Sequence, residues 1–330
     1  MRFGVLGAGG WGTAFARLLA NGGHDTVLWA RDPEQAEAIR RDRRNAKYLP
    51  DVDLPTERLE ITADLSEAVA RGVLVLATPS FGVADLLERI VSLTPPGPTV
   101  INLAKGLDRA TKKTVSELAE DTLPGVTAFT LSGPSHAEEV GADMPTAVVL
   151  AGHDLELGAR LQREISTARF RVYLSEDLRG VELCATIKNV IALATGISDG
   201  LGYGDNSRGA LITRGLAEMV RFGRTFGVQE ATFFGLSGLG DLVATCTSEH
   251  SRNRYVGWCL GRGESIEQIL EGMDMVAEGI TATTVVHEIA ADREIDMPIT
   301  DAVCRLLRGE ADPLSLVNEI MTRAPKREGT

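Results

Sequence analysis

The chain has 330 residues, of which 44% are apolar and 24% are charged, and this composition is typical of a globular protein with one large domain or two ordinary ones. Its formal net charge of −12 and pI near 5.0 argue against a nucleic-acid or anionic-membrane partner, because such partners need a basic surface. No apolar run approaches the roughly 18 residues that cross a bilayer, so we expect no membrane span.

The cysteines and histidines form no metal or redox motif. The four cysteines include no CxxC pair, and His287-Glu288 lacks the second histidine of the metalloprotease pattern because position 291 is alanine. We therefore expect no metal site, and reduced, mostly buried thiols in a cytoplasmic protein. The cysteines are Cys184, Cys246, Cys259 and Cys304.

Residues 1–177 alternate short apolar runs with helical patterns, which is typical of an α/β fold with a parallel sheet. We interpret this segment as a Rossmann-type dinucleotide-binding domain. The predicted strands span residues 2–6, 25–30, 73–77, 99–103, 127–131, 146–150 and 170–174.

A glycine-rich loop follows the first predicted strand and opens a helix that ends near residue 21. The run from Gly7 to Gly12 fits the GxGxxG pattern of dinucleotide-binding proteins. Gly7 permits a tight turn, Gly9 lets a pyrophosphate approach the backbone, and Gly12 lets the helix pack closely on the strand. Free N–H groups at the helix start favour an anion. A glycine-rich turn without a ligand is the alternative.

The end of the second predicted strand bears on the choice of cofactor. An acid about 20 residues past the glycine loop favours a ribose diol, whereas an arginine there can accept a 2′-phosphate. Arg31 and Asp32 are both present, but Asp32 precedes Pro33 and is suited to start the next helix. We therefore predict that Arg31 contacts the adenosine side of the cofactor and that NADPH is preferred to NADH.

Two later strand ends carry further polar groups. Ligands of open α/β sheets bind outside the carboxyl ends of the strands, and here those ends carry Lys105 and the run Gly133-Pro134-Ser135. A lysine in this place suits an oxyanion or a phosphate, and a simple strand stop is the alternative.

Residues 178–330 show helical patterns without strand alternation, so we predict a separate, all-helical domain that binds the substrate. The predicted helices span residues 182–197, 207–226, 266–270, 281–293 and 299–307. The first of them is apolar and has Lys188 at its centre. Its ammonium group either snorkels to water or lies in a cleft and serves as an acid/base group.

Two loops of this half suit a charged ligand. The glycine-rich run 235–240 precedes Asp241, which either pairs with Lys188 or caps the helix that follows. Ser251, Arg252 and Asn253 stand at a predicted helix start and form an anion cradle, because arginine binds a phosphate bidentately. A solvated basic turn is the alternative there.

Taken together, these motifs resemble the family of bacterial NAD(P)-dependent glycerol-3-phosphate dehydrogenases. One departure is visible, since many members carry serine where this chain has Gly10. The resemblance extends over nearly the whole chain and rests on Gly7 to Ala14, Asn45 to Pro50 with Tyr48-Leu49-Pro50, Ala104 to Leu107, Leu131 to Ser135, Glu182 to Asn189, Gly238 to Asp241, Ser251-Arg252-Asn253 and Ala277-Glu278-Gly279.

The resemblance implies the reversible, NAD(P)H-dependent reduction of dihydroxyacetone phosphate to sn-glycerol 3-phosphate, which supplies glycerophospholipid biosynthesis. It implies that Lys188 is the general acid/base and that Lys105 and Asp241 assist catalysis. The implied substrate contacts are Lys105, Gly133, Ser135, Lys188, Asp241, Thr245, Ser251, Arg252 and Asn253. The implied cofactor contacts are Gly7, Gly9, Gly10, Trp11, Gly12, Arg31, Tyr48, Lys105, Ala137, Arg252, Val276 and Glu278.

Two alternatives stay open from the sequence. One is another dehydrogenase with a Rossmann and a helical domain, of the 3-hydroxyacid or 6-phosphogluconate type, which Asp241 and the loop 251–253 disfavour. The other is a non-catalytic NADPH sensor, which has no need for Lys188. The sequence does not fix the oligomeric state, and a homodimer is one arrangement that it allows.

Overall fold

A computed structural model describes residues 1–273 and 277–323. Contacts divide the chain into two units, the first comprising Met1–Thr186 and Phe226–Asp241 and the second Ile187–Thr225 and Leu242–Thr330. The predicted division cuts the chain once, after residue 177, whereas the contacts return a later segment to the first unit. The ranges 1–177 and 178–330 stay a prediction.

The strands all lie in the first unit. They are β1 (Arg2–Leu6), β2 (Asp25–Trp29), β3 (Arg44–Asn45), β4 (Leu49–Asp53), β5 (Leu59–Thr62), β6 (Val73–Leu76), β7 (Thr99–Asn102), β8 (Thr127–Ser132), β9 (Thr146–Gly152) and β10 (Phe170–Ser175). Among the described residues, eight strands form one sheet in the order β5-β2-β1-β6-β7-β8-β9-β10, and β3 pairs with β4 in a separate hairpin.

The order from β5 to β8 is that of a Rossmann fold, with the chain reversing its direction of growth between β1 and β6. Neighbouring strands are parallel throughout the sheet except β8 and β9, which are antiparallel. Each of the seven predicted strands is present. The predicted α/β fold with a Rossmann-type sheet followed by helices is therefore confirmed.

The helices cover the sheet and make up most of the second unit. They are α1 (Gly10–Asn21), α2 (Pro33–Asp42), α3 (Leu65–Val69), α4 (Val83–Ile90), α5 (Val115–Thr122), α6 (Ala137–Gly141), α7 (Leu155–Ile165), α8 (Leu178–Gly200), α9 (Asp205–Arg224), α10 (Glu230–Phe234), α11 (Asp241–Thr247), α12 (Arg252–Gly261), α13 (Ile266–Glu271), α14 (Glu278–Asp292), α15 (Pro298–Leu307) and α16 (Pro313–Met321).

The sheet is buried on both faces. Along β6, Val73 and Val75 belong to the apolar cluster on one face, whereas Leu74 and Leu76 belong to the cluster on the other. A strand that is buried on both faces has a continuous run of apolar residues. These strands could therefore be predicted from the sequence.

Two arginines cover the free edge of the sheet at β5. Strand β5 pairs only with β2 in the sheet, and its carbonyl groups alternate between the two sides of the strand. Arg43 donates to the carbonyl oxygen of Leu59 at 3.0 Å, and Arg40 donates to that of Ile61 at 2.8 Å. Two outward carbonyl groups of the edge strand are thereby hydrogen-bonded within the chain.

Helix α8 is a core helix. It is long and apolar enough to cross a membrane by length and composition, but the stretch that meets this criterion is completely buried in the described protein. Its amino-terminal end is held by Asp177, whose carboxylate accepts a hydrogen bond from the Gly180 N–H at 3.1 Å. Lys188 on this helix is 3% exposed, so the snorkelling alternative is wrong.

Within the second unit, α8 and α12 pack at backbone contact through two glycine pairs. A Cβ at Gly196 would lie 2.0 Å from the Arg254 carbonyl oxygen, and one at Gly257 would lie 2.1 Å from the Leu193 carbonyl oxygen. Gly200 and Gly261 repeat this arrangement one turn further along. Only residues without a side chain allow two helices to approach this closely.

A buried carboxylate holds the start of α15 in the same unit. The side chain of Glu218 accepts hydrogen bonds from the Ile299 N–H at 2.6 Å and from the Thr300 N–H at 3.2 Å. Burial, opposed by these donors, raises the pKa of Glu218 from 4.5 to about 7.

This raised pKa predicts a pH dependence of stability. The folded protein keeps the Glu218 proton between about pH 4.5 and 7, where the unfolded chain has released it, so the free energy of unfolding falls as the pH rises through this window. The contribution is about 3 kcal/mol. Urea unfolding at pH 5 and pH 8 should show that the free energy of unfolding falls less with rising pH in Glu218→Gln than in the parent protein. The same pH dependence in both proteins would contradict the assignment.

Candidate active site

The glycine loop has the geometry that its sequence predicts. Gly7 has a φ of 129°, and a Cβ there would lie 2.8 Å from the Ala77 carbonyl oxygen. A Cβ at Gly12 would lie 2.0 Å from the Gly7 carbonyl oxygen, so helix α1 packs directly on the loop. At Gly9, by contrast, a Cβ would meet no described neighbour within 4 Å. Gly9 precedes α1, so a ligand has access to the start of that helix.

Three predicted cofactor contacts lie together beside this loop. A Cβ at Gly10 would lie 2.9 Å from the Tyr48 carbonyl oxygen and 3.5 Å from the Ala137 Cβ. A serine at position 10 would therefore force the Tyr48 backbone to move. The buried indole Nε1 of Trp11 has no hydrogen-bond partner among the described residues. The open helix start, rather than this enclosed donor, is the feature that fits a nucleotide cofactor.

Asn45, which opens one of the motifs that carry the resemblance, holds the glycine loop, a role that the sequence did not predict. The side chain of Asn45 is 1% exposed and donates to the Ala8 carbonyl oxygen at 2.9 Å and to the Thr13 hydroxyl at 2.8 Å. Gln35 donates to the same carbonyl oxygen at 3.0 Å. A buried amide between the loop and its helix keeps the loop in one conformation.

Of the two residues at the end of β2, Arg31 and Asp32, the structure shows a local role for Asp32. The carboxylate of Asp32 accepts a hydrogen bond from the Glu34 N–H at 3.0 Å and caps α2, with Pro33 as the first helical residue. Arg31 follows β2 directly and is exposed. Asp32 therefore has a structural role as a helix cap, and a cofactor contact by Arg31 stays a prediction.

Four of the predicted substrate contacts meet around the ammonium group of Lys105. Its Nζ lies 2.9 Å from a carboxylate oxygen of Asp241 and 3.2 Å from the Gly133 carbonyl oxygen. The Ser135 hydroxyl donates to the same carbonyl oxygen at 2.9 Å. Asp241 is 2% exposed, so this ion pair lies in a low-dielectric setting. These contacts hold the Lys105 ammonium group in a fixed position.

The glycine-rich run before Asp241 serves the fold of that loop. Residues Leu236–Gly240 form a π-helical turn, and a Cβ at Gly238 would lie 2.1 Å from the Phe233 carbonyl oxygen. The glycine is thus required by the packing of the turn on α10. Helix α11 begins at Asp241 itself, and the carboxylate bonds with Lys105. The predicted pairing of Asp241 with Lys188 stays a prediction.

Lys188 is held by a hydroxyl of its own unit. Its Nζ donates to the Thr245 hydroxyl oxygen at 2.6 Å, and Thr245 is 5% exposed. The hydroxyl fixes the direction of the ammonium group without neutralising its charge. Such a lysine can deliver a proton to an oxygen placed beside it.

The loop before α12 is organised by its own side chains. The Ser251 hydroxyl accepts from the Arg254 N–H at 3.2 Å and caps the helix, and Arg252 is the exposed first residue of α12. The Asn253 amide donates to the Asn189 side chain at 3.0 Å and accepts from the Gly279 N–H at 2.9 Å.

This chain of hydrogen bonds joins several predicted contacts. Asn189 follows Lys188 on α8, and Gly279 follows Glu278 at the start of α14. Asn253 therefore fixes the spacing of three helix segments that carry predicted contacts, a role that the sequence did not reveal. The predicted cofactor contact Val276 lies outside the described residues.

Burial is the main feature that the four cysteines share. None of the four, all within the described residues, forms a disulfide, and all are buried. Burial, with a smaller effect of the negative Asp177 and Asp241, raises the pKa of Cys184 well above its ordinary value. In residues 1–273 and 277–323, no group of three or more acidic, cysteine or histidine side chains is placed to hold a metal ion.

The sequence of this chain is similar to known proteins along nearly its whole length. Residues 2–158 match the NAD-dependent glycerol-3-phosphate dehydrogenase N-terminus, and residues 177–318 match the C-terminus of the same family. A glycerol-3-phosphate dehydrogenase [NAD(P)+] of Geobacter metallireducens is 47% identical over 99% of this chain and 98% of its own. The chain belongs to the NAD-dependent glycerol-3-phosphate dehydrogenase family. The resemblance predicted from the motifs is confirmed.

Further relatives agree with this family assignment. Glycerol-3-phosphate dehydrogenase [NAD(P)+] 2 of Salinibacter ruber is 45% identical over 98% of this chain and 95% of its own. The crystal structure of glycerol-3-phosphate dehydrogenase from Coxiella burnetii has a TM-score of 0.94 at 38% identity, over 98% of this chain and 99% of that one. Members of this family use a nicotinamide cofactor, and the glycine loop fits one.

Proposed function

We infer that the protein is an oxidoreductase that reduces dihydroxyacetone phosphate to sn-glycerol 3-phosphate with a nicotinamide cofactor, and that it catalyses the reverse reaction. The observation that carries this function is the buried Lys188, hydrogen-bonded to Thr245, in a chain whose relatives are named glycerol-3-phosphate dehydrogenase [NAD(P)+]. A non-catalytic sensor has no need for a lysine that is 3% exposed.

The glycine loop and its neighbours are proposed to hold the cofactor. The accessible start of α1 at Gly9 suits the pyrophosphate, and Trp11 is proposed as a further contact. When bound, the nicotinamide supplies the hydride for C2 of the substrate. Tyr48, Ala137 and Glu278 are further proposed contacts.

Lys188 is proposed as the general acid. The oxygen on C2 gains negative charge as the carbonyl is reduced, and the ammonium group of Lys188 donates a proton to it. Thr245 orients this ammonium group, because its hydroxyl oxygen accepts one of the three N–H bonds at 2.6 Å. In the reverse reaction the neutral amine takes the proton back.

Lys105 is proposed to stabilise the same developing charge. Its ammonium group has a fixed position between Asp241 and the Gly133 carbonyl oxygen, so it needs little reorganisation when the charge appears. Ser135, which donates to that carbonyl oxygen, is proposed as a further substrate contact.

The start of α12 is proposed to bind the substrate phosphate. Arg252 is its first residue, and free N–H groups at a helix start favour an anion. Ser251 and Asn253 complete the proposed cradle. Binding energy from the phosphate orients the carbonyl group for reduction.

The first test is turnover on dihydroxyacetone phosphate with each reduced cofactor. We expect oxidation of NADPH and NADH, measured as loss of absorbance, only when this ketone is present. Oxidation with a keto acid instead would favour a dehydrogenase of the 3-hydroxyacid type. Cofactor binding without oxidation by either substrate would favour the sensor.

We also propose a preference for NADPH, set by Arg31. Arg31→Ala should raise the KM for NADPH by about 10- to 100-fold, because a charged hydrogen bond contributes roughly 1.5–3 kcal/mol, and should change the KM for NADH little. Arg41, which is exposed and pairs with Asp42, provides a control through Arg41→Ala. An equal loss for both cofactors in Arg31→Ala would remove the assignment.

We propose a cellular compartment and a metabolic role for the enzyme. Four buried cysteines without a disulfide are suited to a reducing compartment, which supports a cytoplasmic location. Its product is the backbone of glycerophospholipids, so we propose a role in phospholipid biosynthesis. A homodimer stays a prediction, which size-exclusion chromatography with light scattering can test.

A further inference from the structure

A buried network lies beneath the turn that carries Lys105. Asn102 is the last residue of β7, and its side-chain oxygen accepts a hydrogen bond from the Ala104 N–H at 2.7 Å. Its amide nitrogen donates to the Ala104 carbonyl oxygen at 3.2 Å. The side chain of Asn102 thus bonds to both backbone groups of the residue that precedes Lys105.

The same amide reaches the neighbouring strand. It donates to the Thr130 hydroxyl at 3.0 Å, and that hydroxyl in turn lies 3.2 Å from the Asn102 carbonyl oxygen. Thr130 belongs to β8, the strand that leads to Gly133. Since the Gly133 carbonyl oxygen accepts from Lys105, the network joins the two turns that set the position of the Lys105 ammonium group.

Glu182 on α8 fixes the orientation of this amide. One oxygen of its carboxyl group accepts from the Asn102 amide at 3.0 Å and from the Ser116 N–H at 3.1 Å, and the other accepts from the Ser116 hydroxyl. Glu182 is 3% exposed, and burial, opposed by these donors, raises its pKa. With an acceptor on this side, the nitrogen of the Asn102 amide must face Glu182 and its oxygen must face the Ala104 N–H.

We propose that Glu182 and Asn102 are positioning residues for the reaction, which act by holding the Ala104–Lys105 turn so that the Lys105 ammonium group stays between Asp241 and Gly133. This inference rests on the proposed role of Lys105. Reversal of the Asn102 amide would place its nitrogen against the Ala104 N–H, and the turn would shift. A displacement of about 1 Å at a charged group can lower a rate by about 100-fold.

The main variant is Glu182→Gln, which keeps the shape of the side chain and weakens its acceptor. We expect kcat to fall by about 10- to 100-fold and the KM for NADPH to change much less, because Lys105 is only one of the implied cofactor contacts and the cofactor loop is held separately by Asn45. Glu218→Gln is the matched control. It also removes a buried carboxylate that accepts backbone N–H groups, and it should leave kcat unchanged.

A double-mutant cycle with Lys105→Ala separates positioning from a general loss of structure. If Glu182 acts through Lys105, then Glu182→Gln should lower kcat/KM in the parent enzyme but cause no further loss in Lys105→Ala. Should Glu182→Gln fail to fold, Asn102→Ser provides the same cycle. Folding is checked by thermal unfolding of every variant.

Two outcomes would overturn the inference in different ways. Equal losses of kcat/KM in both backgrounds would show that Glu182 does not act through Lys105, and the role of Lys105 would stand. Unchanged turnover in Lys105→Ala would remove the proposed role of Lys105 and this inference with it.

Discussion

Lys188→Ala is expected to lower kcat by about 10²- to 10⁴-fold while the affinity for the nicotinamide cofactor is retained. The lysine is 3% exposed and its ammonium group is oriented by Thr245, which fits a proton donor of fixed position. Without a proton donor, the reduced carbonyl oxygen must take its proton from water. Stopped-flow measurement of the reduction step, with fluorescence titration of NADPH, checks both halves of this expectation.

Two further variants make this result specific. Lys113, which pairs with Asp121 at the surface, provides a control, and Lys113→Ala should leave kcat unchanged. Thr245→Val removes the hydroxyl and nearly keeps the volume, so it should lower kcat less than Lys188→Ala does. Turnover that survives in Lys188→Ala would exclude this lysine as the general acid.

Gly257→Ala is expected to lower the free energy of unfolding by about 3 kcal/mol, the upper end of the usual cost of overpacking. The added methyl group would lie 2.1 Å from the Leu193 carbonyl oxygen, which belongs to the backbone of α8 and has no rotamer through which to move away. The two helices must therefore separate, and every contact between Gly196 and Gly257 weakens. Chemical denaturation followed by circular dichroism measures the loss.

A glycine of the same unit provides the matched control. Gly209 lies within helix α9, and a Cβ there would meet no described neighbour within 4 Å. Gly209→Ala should raise the free energy of unfolding by about 0.5–1 kcal/mol, because alanine favours the helix and restricts the unfolded chain. Losses of similar size in the two variants would contradict the close-packing explanation.

The elements that the sequence predicted well are those buried on both sides. Strand β6 is apolar at each position, and such runs are recognisable without any knowledge of their partners. Strand β5 was missed because it is a four-residue edge strand in which Glu60 interrupts the apolar pattern. The hairpin of β3 and β4 was missed because Pro50 argues against a strand.

The start of α8 shows how one local contact moves a predicted boundary. The sequence predicted a helix from residue 182, because the apolar run from Glu182 to Thr195 contains no glycine or proline. The helix begins at Leu178, and Asp177 accepts the Gly180 N–H. A glycine is suited to this place, since a Cβ there would lie 2.1 Å from the Asp177 carboxylate.

The sequence predicted which residues belong to the candidate site, but it did not predict which of them contact one another. Lys105 and Gly133 were visible because they follow predicted strands, and Asp241 because it follows a glycine-rich run. The ion pair of Lys105 with Asp241 joins positions 136 residues apart, and no local pattern encodes such a distance. The roles of Asn102 and Asn45 were not predicted for a related reason, because a polar residue at a strand end looks like any turn residue until its partners are known.

The arginines that cover β5 also affect whether a strand of another molecule can pair with this edge of the sheet. An uncovered edge strand offers a row of carbonyl and N–H groups to which a strand of another molecule can pair, and such pairing leads to aggregation. Arg40 and Arg43 occupy the Ile61 and Leu59 carbonyl groups and place positive charges there. These two carbonyl groups are therefore not available to a strand of another molecule, which makes this edge less suited to such pairing.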